Sequence, residues 1–177
     1  MRQPRKAETL RPIVRKILSD SGAYDVPVKV DVIAEHLGAR IRYSPFAGEL
    51  AGMLVRRDDG AVVIGVNSAH HINRQRFTIA HECGHLCLHK GKKVYIDRSF
   101  RVSVNHRDGR SRGAVDPDEI EANRFAAELL MPLDSIRGDI DEFDIEDDEV
   151  LKELAERYVV SVQALNYRVN YLLRNVI

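Results

Sequence analysis

The chain has no charge imbalance, almost no cysteine and no long apolar run, and each absence closes off a class of reading. Lys plus Arg and Asp plus Glu both number 27, so net charge supplies no general attraction to nucleic acid or to a membrane. Cysteine occurs only as Cys83 and Cys87. Near neighbours on one helix are poorly aimed for a disulfide, so two buried thiols in a reducing compartment are expected. Behind Met1-Arg2-Gln3-Pro4-Arg5-Lys6 there is no apolar stretch of the length that a signal peptide or a membrane span needs. A cytoplasmic protein with no membrane partner is the expectation. What is present suits a folded domain: 177 residues, 44% hydrophobic and 31% charged, enough for one real core with at most a small helical appendage.

The chain is organised around Phe77-Thr78-Ile79-Ala80-His81-Glu82-Cys83-Gly84-His85-Leu86-Cys87-Leu88-His89, which contains H-E-x-x-H within a helical pattern. On a helix, residues four apart differ by about 40 degrees and lie about 6 Å apart along the axis, so one metal ion can bridge His81 and His85. Glu82, about 60 degrees from His85, can reach a water on that ion without becoming a ligand. Gly84 is read as removing a side chain beside the ion. His89 shares the face but lies about 12 Å from His81 along the axis, too far for one ion to span. The glycine and third histidine of a metzincin are also missing, since position 88 is Leu and position 91 is Gly. A catalytic zinc needs a third protein ligand, which must come from elsewhere.

The stretch from Asp116 to Pro132 offers one. Asp116 suits an N-cap, Pro117 the first helical position, and Pro132 disfavours helix before it. Glu119 and Asn123 then share a face. Glu119 is the candidate carboxylate ligand, and Asn123 the candidate group that hydrogen-bonds a ligand and fixes its orientation. The competing reading makes Glu119 a capping-box carboxylate turned back to the N-cap amide.

Together, residues 76–85 and 119–132 resemble the ImmA/IrrE family of zinc metallopeptidases. The resemblance implies one zinc ion on His81, His85 and Glu119, with Glu82 as general base. The preference for Glu119 over Glu121 comes from the wider gluzincin pattern E-x-x-x-N/D. It also implies a protein substrate, a repressor with a helix-turn-helix, cut to switch on stress, mobile-element or toxin–antitoxin genes.

Along the rest of the chain, residues 8–20 read as an amphipathic helix, and Asp31 as the cap of a short helix closed by Gly38. Residues 39–67 switch to strand period, with Asp58-Asp59-Gly60 as a hairpin turn, giving about three antiparallel strands beside the motif helix. An edge strand there can hold an extended peptide by strand addition, or the hairpin can be scaffold. His70 and His71 read as surface residues, and Arg76 as a substrate anchor or an ion-pair partner. Residues 91–115 form a long connection, carrying with Lys90 eight Lys or Arg and suiting an acidic substrate segment. Tyr95 and His106 are its candidates for steadying an oxyanion. From Asp134 to Glu156 eleven Asp or Glu stand against Arg137 and Lys152. Helices capped by Asp147 and Ser161 follow, with a tight turn at Val159-Val160-Ser161 that suggests a helix-turn-helix. Such dense acid repels phosphate, so direct nucleic-acid binding is not expected.

The expectation is an α+β fold with a helical zincin-like core. It has a metallopeptidase domain over 1–132 (small sheet about 39–67, motif helix about 72–90, third-ligand helix about 117–131) and a C-terminal helical hairpin over 133–177. The expected activity is zinc-dependent endopeptidase; the rival is a zinc-stabilised regulatory or sensor module that does not cut.

Overall fold

The computed structural model describes residues 2–97 and 116–175, an α+β arrangement of seven helices around an open four-stranded sheet. Helix α1 (Ala7–Ser21) buries Leu10, Val14, Ile17 and Leu18 and ends on Gly22, whose φ of 65° suits a residue without Cβ. Helix α2 (Val30–His36) starts two residues earlier than a cap at Asp31 predicts. Its N-cap is Lys29, with no side-chain cap, and Asp31 lies in the first turn instead.

The sheet contains strands β1 (Ala39–Ser44), β2 (Gly52–Arg56), β3 (Val62–Asn67) and β4 (Val94–Asp97) in the order β1-β3-β2-β4. The β2–β3 hairpin turns through Gly60, at a φ of 83°. The sheet is not wholly antiparallel, because β1 pairs parallel to β3. The reason lies in the residues: Ile64, Gly65 and Val66 are buried, which favours a central place for β3, while β1 has Arg40 exposed and Arg42 exposed and sits at the rim. β4 pairs antiparallel to β2 and becomes the outer strand on that side, so the hairpin is internal to the sheet rather than its edge.

Helix α3 (Ile72–Leu88) packs on β2 and β3 and crosses α4 (Pro117–Leu130). Its N-cap is His71, whose Nδ1 accepts from the Asn73 amide at 3.3 Å, a local role for a side chain read as mere surface. Arg76 donates to the Val28 carbonyl at 2.9 Å, tying α3 to the segment before α2. Cys83 and Cys87 are free thiols, and burial pushes both up, Cys87 to about 11.

Gly84 faces α4 rather than the histidine pair. A Cβ there would lie 3.1 Å from Ala122 Cα, 3.3 Å from its carbonyl oxygen and 3.2 Å from Phe125 Cβ. The glycine sets the distance between the two site helices. Gly84→Ala is expected to cost about 1–3 kcal/mol by overpacking against backbone that cannot yield, seen as a fall of about 3–10 °C in thermal melting. An unchanged melting temperature would show that the crossing has slack.

After Pro132 comes a helix that sequence pattern does not announce, α5 (Leu133–Glu142), then α6 (Asp148–Tyr158) and α7 (Val162–Asn175). Asp147 caps α6 by accepting from the Glu149 amide, and Ser161 Oγ accepts from the Ala164 amide at the start of α7. Between them Val159 takes a φ of 51°, a left-handed conformation that a β-branched residue adopts at a cost. Buried Asp139 of α5 accepts from Arg157 and from the Tyr158 hydroxyl, both at 2.6 Å, joining α5 to α6. The α6–α7 turn is pinned to α3, since Asn73 Nδ2 donates to the Val160 carbonyl at 2.9 Å. One apolar cluster runs through all these layers, from Leu10 and Ile33 through Leu54, Ile79 and Phe125 to Tyr158 and Leu172. Among the described residues no helix is long and apolar enough to cross a membrane.

Candidate metal centre

Two turns of α3 and the first turn of α4 bring the site together. The four-residue spacing puts His81 and His85 on one face, with Nε2 atoms 2.9 Å apart. Asp116 caps α4 by accepting from the Asp118 amide. Capping therefore does not occupy Glu119, whose carboxylate points at the histidines: Oε2 lies 3.3 Å from His81 Nε2 and Oε1 3.4 Å from His85 Nε2. These three residues form a group whose ligand atoms all lie within 4.8 Å of one another. The imidazoles are a buried wall, 3% and 1% exposed, while Glu119 is 38% exposed and forms the open side. Burial works to raise the Glu119 pKa, but His81 and His85, when protonated and donating from Nε2, outweigh it and hold Glu119 well below the usual carboxylate range; the neutral rings give up that donation and turn lone pairs inward instead. Burial depresses the imidazolium form of His85.

The outer nitrogens show what the inner ones are for. His81 Nδ1 lies 2.9 Å from Asn123 Oδ1. An amide oxygen only accepts, so with this orientation of Asn123 the proton is on Nδ1 and the lone pair on Nε2. His85 Nδ1 lies 2.9 Å from His89 Nδ1, and His89 Nε2 lies 3.2 Å from Glu121 Oε2. With the carboxylate accepting from His89 Nε2–H, the singly protonated form of His89 accepts at Nδ1 from His85, which leaves the lone pair of His85 on Nε2. Two lone pairs 2.9 Å apart beside a carboxylate repel unless a cation lies among them. The donor set of two imidazoles and a carboxylate fits a divalent transition metal of the zinc type.

Glu82 is fully buried on α3 between these ligands and β2. Strand β2 approaches it through Gly52, where a Cβ would meet Thr78 Cγ2 at 2.2 Å and lie 3.7 Å from Glu82 Oε1. Only glycine lets the strand come this near.

The model of the peptidase M78 family, described as the IrrE N-terminal-like domain, matches residues 34–170, most of the chain. The chain belongs to this family. No curated protein matches it.

This M78 protein thus carries a metallopeptidase-like domain, with a His81–His85–Glu119 group that could hold a metal ion. Glu121 faces away from that group and its carboxylate meets His89. Burial raises the Glu121 pKa, yet the Arg5 amide, His89, Arg2 and Arg5 bring it below its ordinary value. Tyr95 is buried on β4 with its ring stacked on His85, centroids 4.2 Å apart, and with Lys92 and Arg56 on its faces. His106, the other oxyanion candidate, and most of the basic connection lie outside the described residues. Sequence spacing weighed His89 only as a ligand and so missed its contact with His85. The signal that finds it is the i, i+4 step repeated a second time.

Proposed function

We propose that this protein is a zinc-dependent endopeptidase that hydrolyses a peptide bond in a cytoplasmic protein substrate. The observation that carries the reading is the convergence of the ligand atoms of His81, His85 and Glu119, with a hydrogen-bond partner on the outer nitrogen of each imidazole. His81, His85 and Glu119 would hold one zinc ion, which supplies a Lewis acid that brings the pKa of water near about 7 and polarises a carbonyl. Glu82 takes a proton from the attacking water and delivers it to the leaving amine, so that the products are a carboxylate and a new amino terminus. Asn123 and His89 hold the imidazoles in register. Tyr95 backs His85, and its hydroxyl is the candidate donor to the oxyanion.

The proposed substrate is a helix-turn-helix repressor whose cleavage relieves repression in a stress, mobile-element or toxin–antitoxin setting, a reading that rests on the resemblance of residues 76–85 and 119–132 to the ImmA/IrrE family. Direct DNA binding has little support: the α6–α7 turn is engaged by α3, and α5 and α6 carry dense acid.

Two measurements test this. Purified protein should carry about one zinc per chain, lost in His81→Ala and in Glu119→Ala, as expected of a three-ligand site. Labelling of new amino termini in cells expressing the parent should reveal cuts within helix-turn-helix regulators that are absent with His81→Ala. Zinc kept by Glu119→Ala would remove Glu119 from the ligand set. A zinc-loaded parent that generates no new termini would favour a regulatory module that binds without cutting.

A further inference from the structure

The zinc reading leaves unexplained a line of polar groups that starts at His85 and ends at the N-terminal arm, 116 residues from Glu121 in sequence. His85 Nδ1 meets His89 Nδ1 at 2.9 Å, and His89 Nε2 meets Glu121 Oε2 at 3.2 Å. His89 is 5% exposed and Glu121 is fully buried, so neither contact competes with bulk water. Asp118 Oδ1 stands farther from His89 Nε2, at 3.7 Å. The arm closes the line: the Arg5 amide donates to Glu121 Oε1 at 2.7 Å, Arg2 Nη1 lies 2.9 Å from the same oxygen and Arg5 Nη1 3.8 Å from Oε2. Arg2 also bridges to Asp118 at 2.7 Å, and Arg124 of α4 donates to the Arg5 carbonyl.

We propose that His89 and Glu121 are positioning residues for the metal site, and that residues 2–5 are the strap that fixes Glu121. A buried carboxylate costs free energy unless its oxygens are well bonded. Capping α4 does not require this one. What Glu121 accomplishes is to orient His89 as an acceptor, which in turn fixes the proton of His85 on the nitrogen away from the ligand group. A ring flip or a tautomer change of His85 would turn an N–H toward the ion position. The strap connects α4 to the ligand face of α3 by a route that bypasses the direct α3–α4 packing at Gly84. This inference rests on His81 and His85 being ligands, but not on cleavage.

The first test is the nitrogen-15 spectrum of the imidazoles in the metal-free protein, which distinguishes the two neutral tautomers directly. The expected pattern is Nδ1–H for His81 and His85 and Nε2–H for His89. A proton on Nδ1 of His89 would overturn the proposal without any variant having to fold. The second is zinc affinity, by competition with a chromogenic chelator. His89→Phe and Glu121→Leu should bind about 10- to 100-fold more weakly. Glu121→Gln, whose amide oxygen still accepts from His89 while its NH2 now meets the Arg5 amide and Arg2, should recover part of that loss, as a merely space-filling role would not predict. Deletion of residues 2–5 should weaken binding in the same direction by a smaller factor. Affinity within twofold of the parent in folded His89→Phe would refute the positioning role. If His81→Ala leaves zinc affinity intact, the ligand reading itself fails. Zinc bound as expected but no cleavage would remove the peptidase reading and leave this inference standing.

Discussion

Glu82→Gln is expected to abolish cleavage, by a factor of about a hundred to ten thousand, while zinc content stays at the parent level. The substitution keeps the side chain's volume and hydrogen-bonding reach and removes only its ability to carry a proton. Volume matters because Glu82 is fully buried and β2 closes over it at Gly52, so a smaller residue would leave a void and a larger one would displace the strand. Zinc should be retained because the helical geometry puts the ligating face at His81 and His85, with Glu82 turned off it. The measurements are metal analysis and cleavage of the substrate found by terminal labelling, on the same preparation. Loss of zinc would mean that Glu82 is a ligand and would break the assignment of roles. Cleavage within tenfold of the parent would mean that another group moves the proton.

The parts of this molecule that were legible in the sequence are those fixed by short spacing. His81 and His85 are one turn apart, Asp116-Pro117 marks the start of α4, and Asp147 and Ser161 mark α6 and α7, because each signal lies within a single turn of chain. Strand order was not legible. The hairpin suggested an exposed edge, whereas β3 is inserted between β1 and β2, and β4 covers β2, through pairings that local periodicity does not encode. Helix α5 was missed because it has no side-chain N-cap and buries only Ile136 and Asp139, so its many carboxylates read as loop. Gly84 was legible as a place where a side chain is unwelcome, but not as the contact with Ala122 and Phe125 that explains why. The line from His85 to Arg2 could not be read at all, since its members lie on three separate stretches of chain.

Arg168→Met should be the most damaging single change outside the metal site, costing about 3–5 kcal/mol. Arg168 and Glu128 are 4% and 2% exposed and form a two-pronged pair, Nη1 to Oε1 at 2.7 Å and Nη2 to Oε2 at 2.8 Å. The same guanidinium donates to the Met131 carbonyl from Nε at 3.2 Å and Nη2 at 3.0 Å, where α4 ends and its last carbonyls need donors. One side chain of α7 therefore closes the end of α4 and neutralises its buried acid. Removing it leaves Glu128 with Arg11 alone, at 3.1 Å. For a domain of this size the loss corresponds to a fall of about 10 °C or more in melting temperature. The partner test is Arg168→Met with Glu128→Met, which removes the buried pair and should restore part of the stability, since the penalty lies in a buried carboxylate held by Arg11 alone. A melting temperature within about 2 °C of the parent for the single variant would show that apolar contacts of Leu165, Val169 and Leu172 hold the tail without the pair. Zinc content of the folded fraction should not change, because Glu119 lies at the opposite end of α4 from Glu128. That separation is what makes the pair a fastening of the tail and not a part of the site.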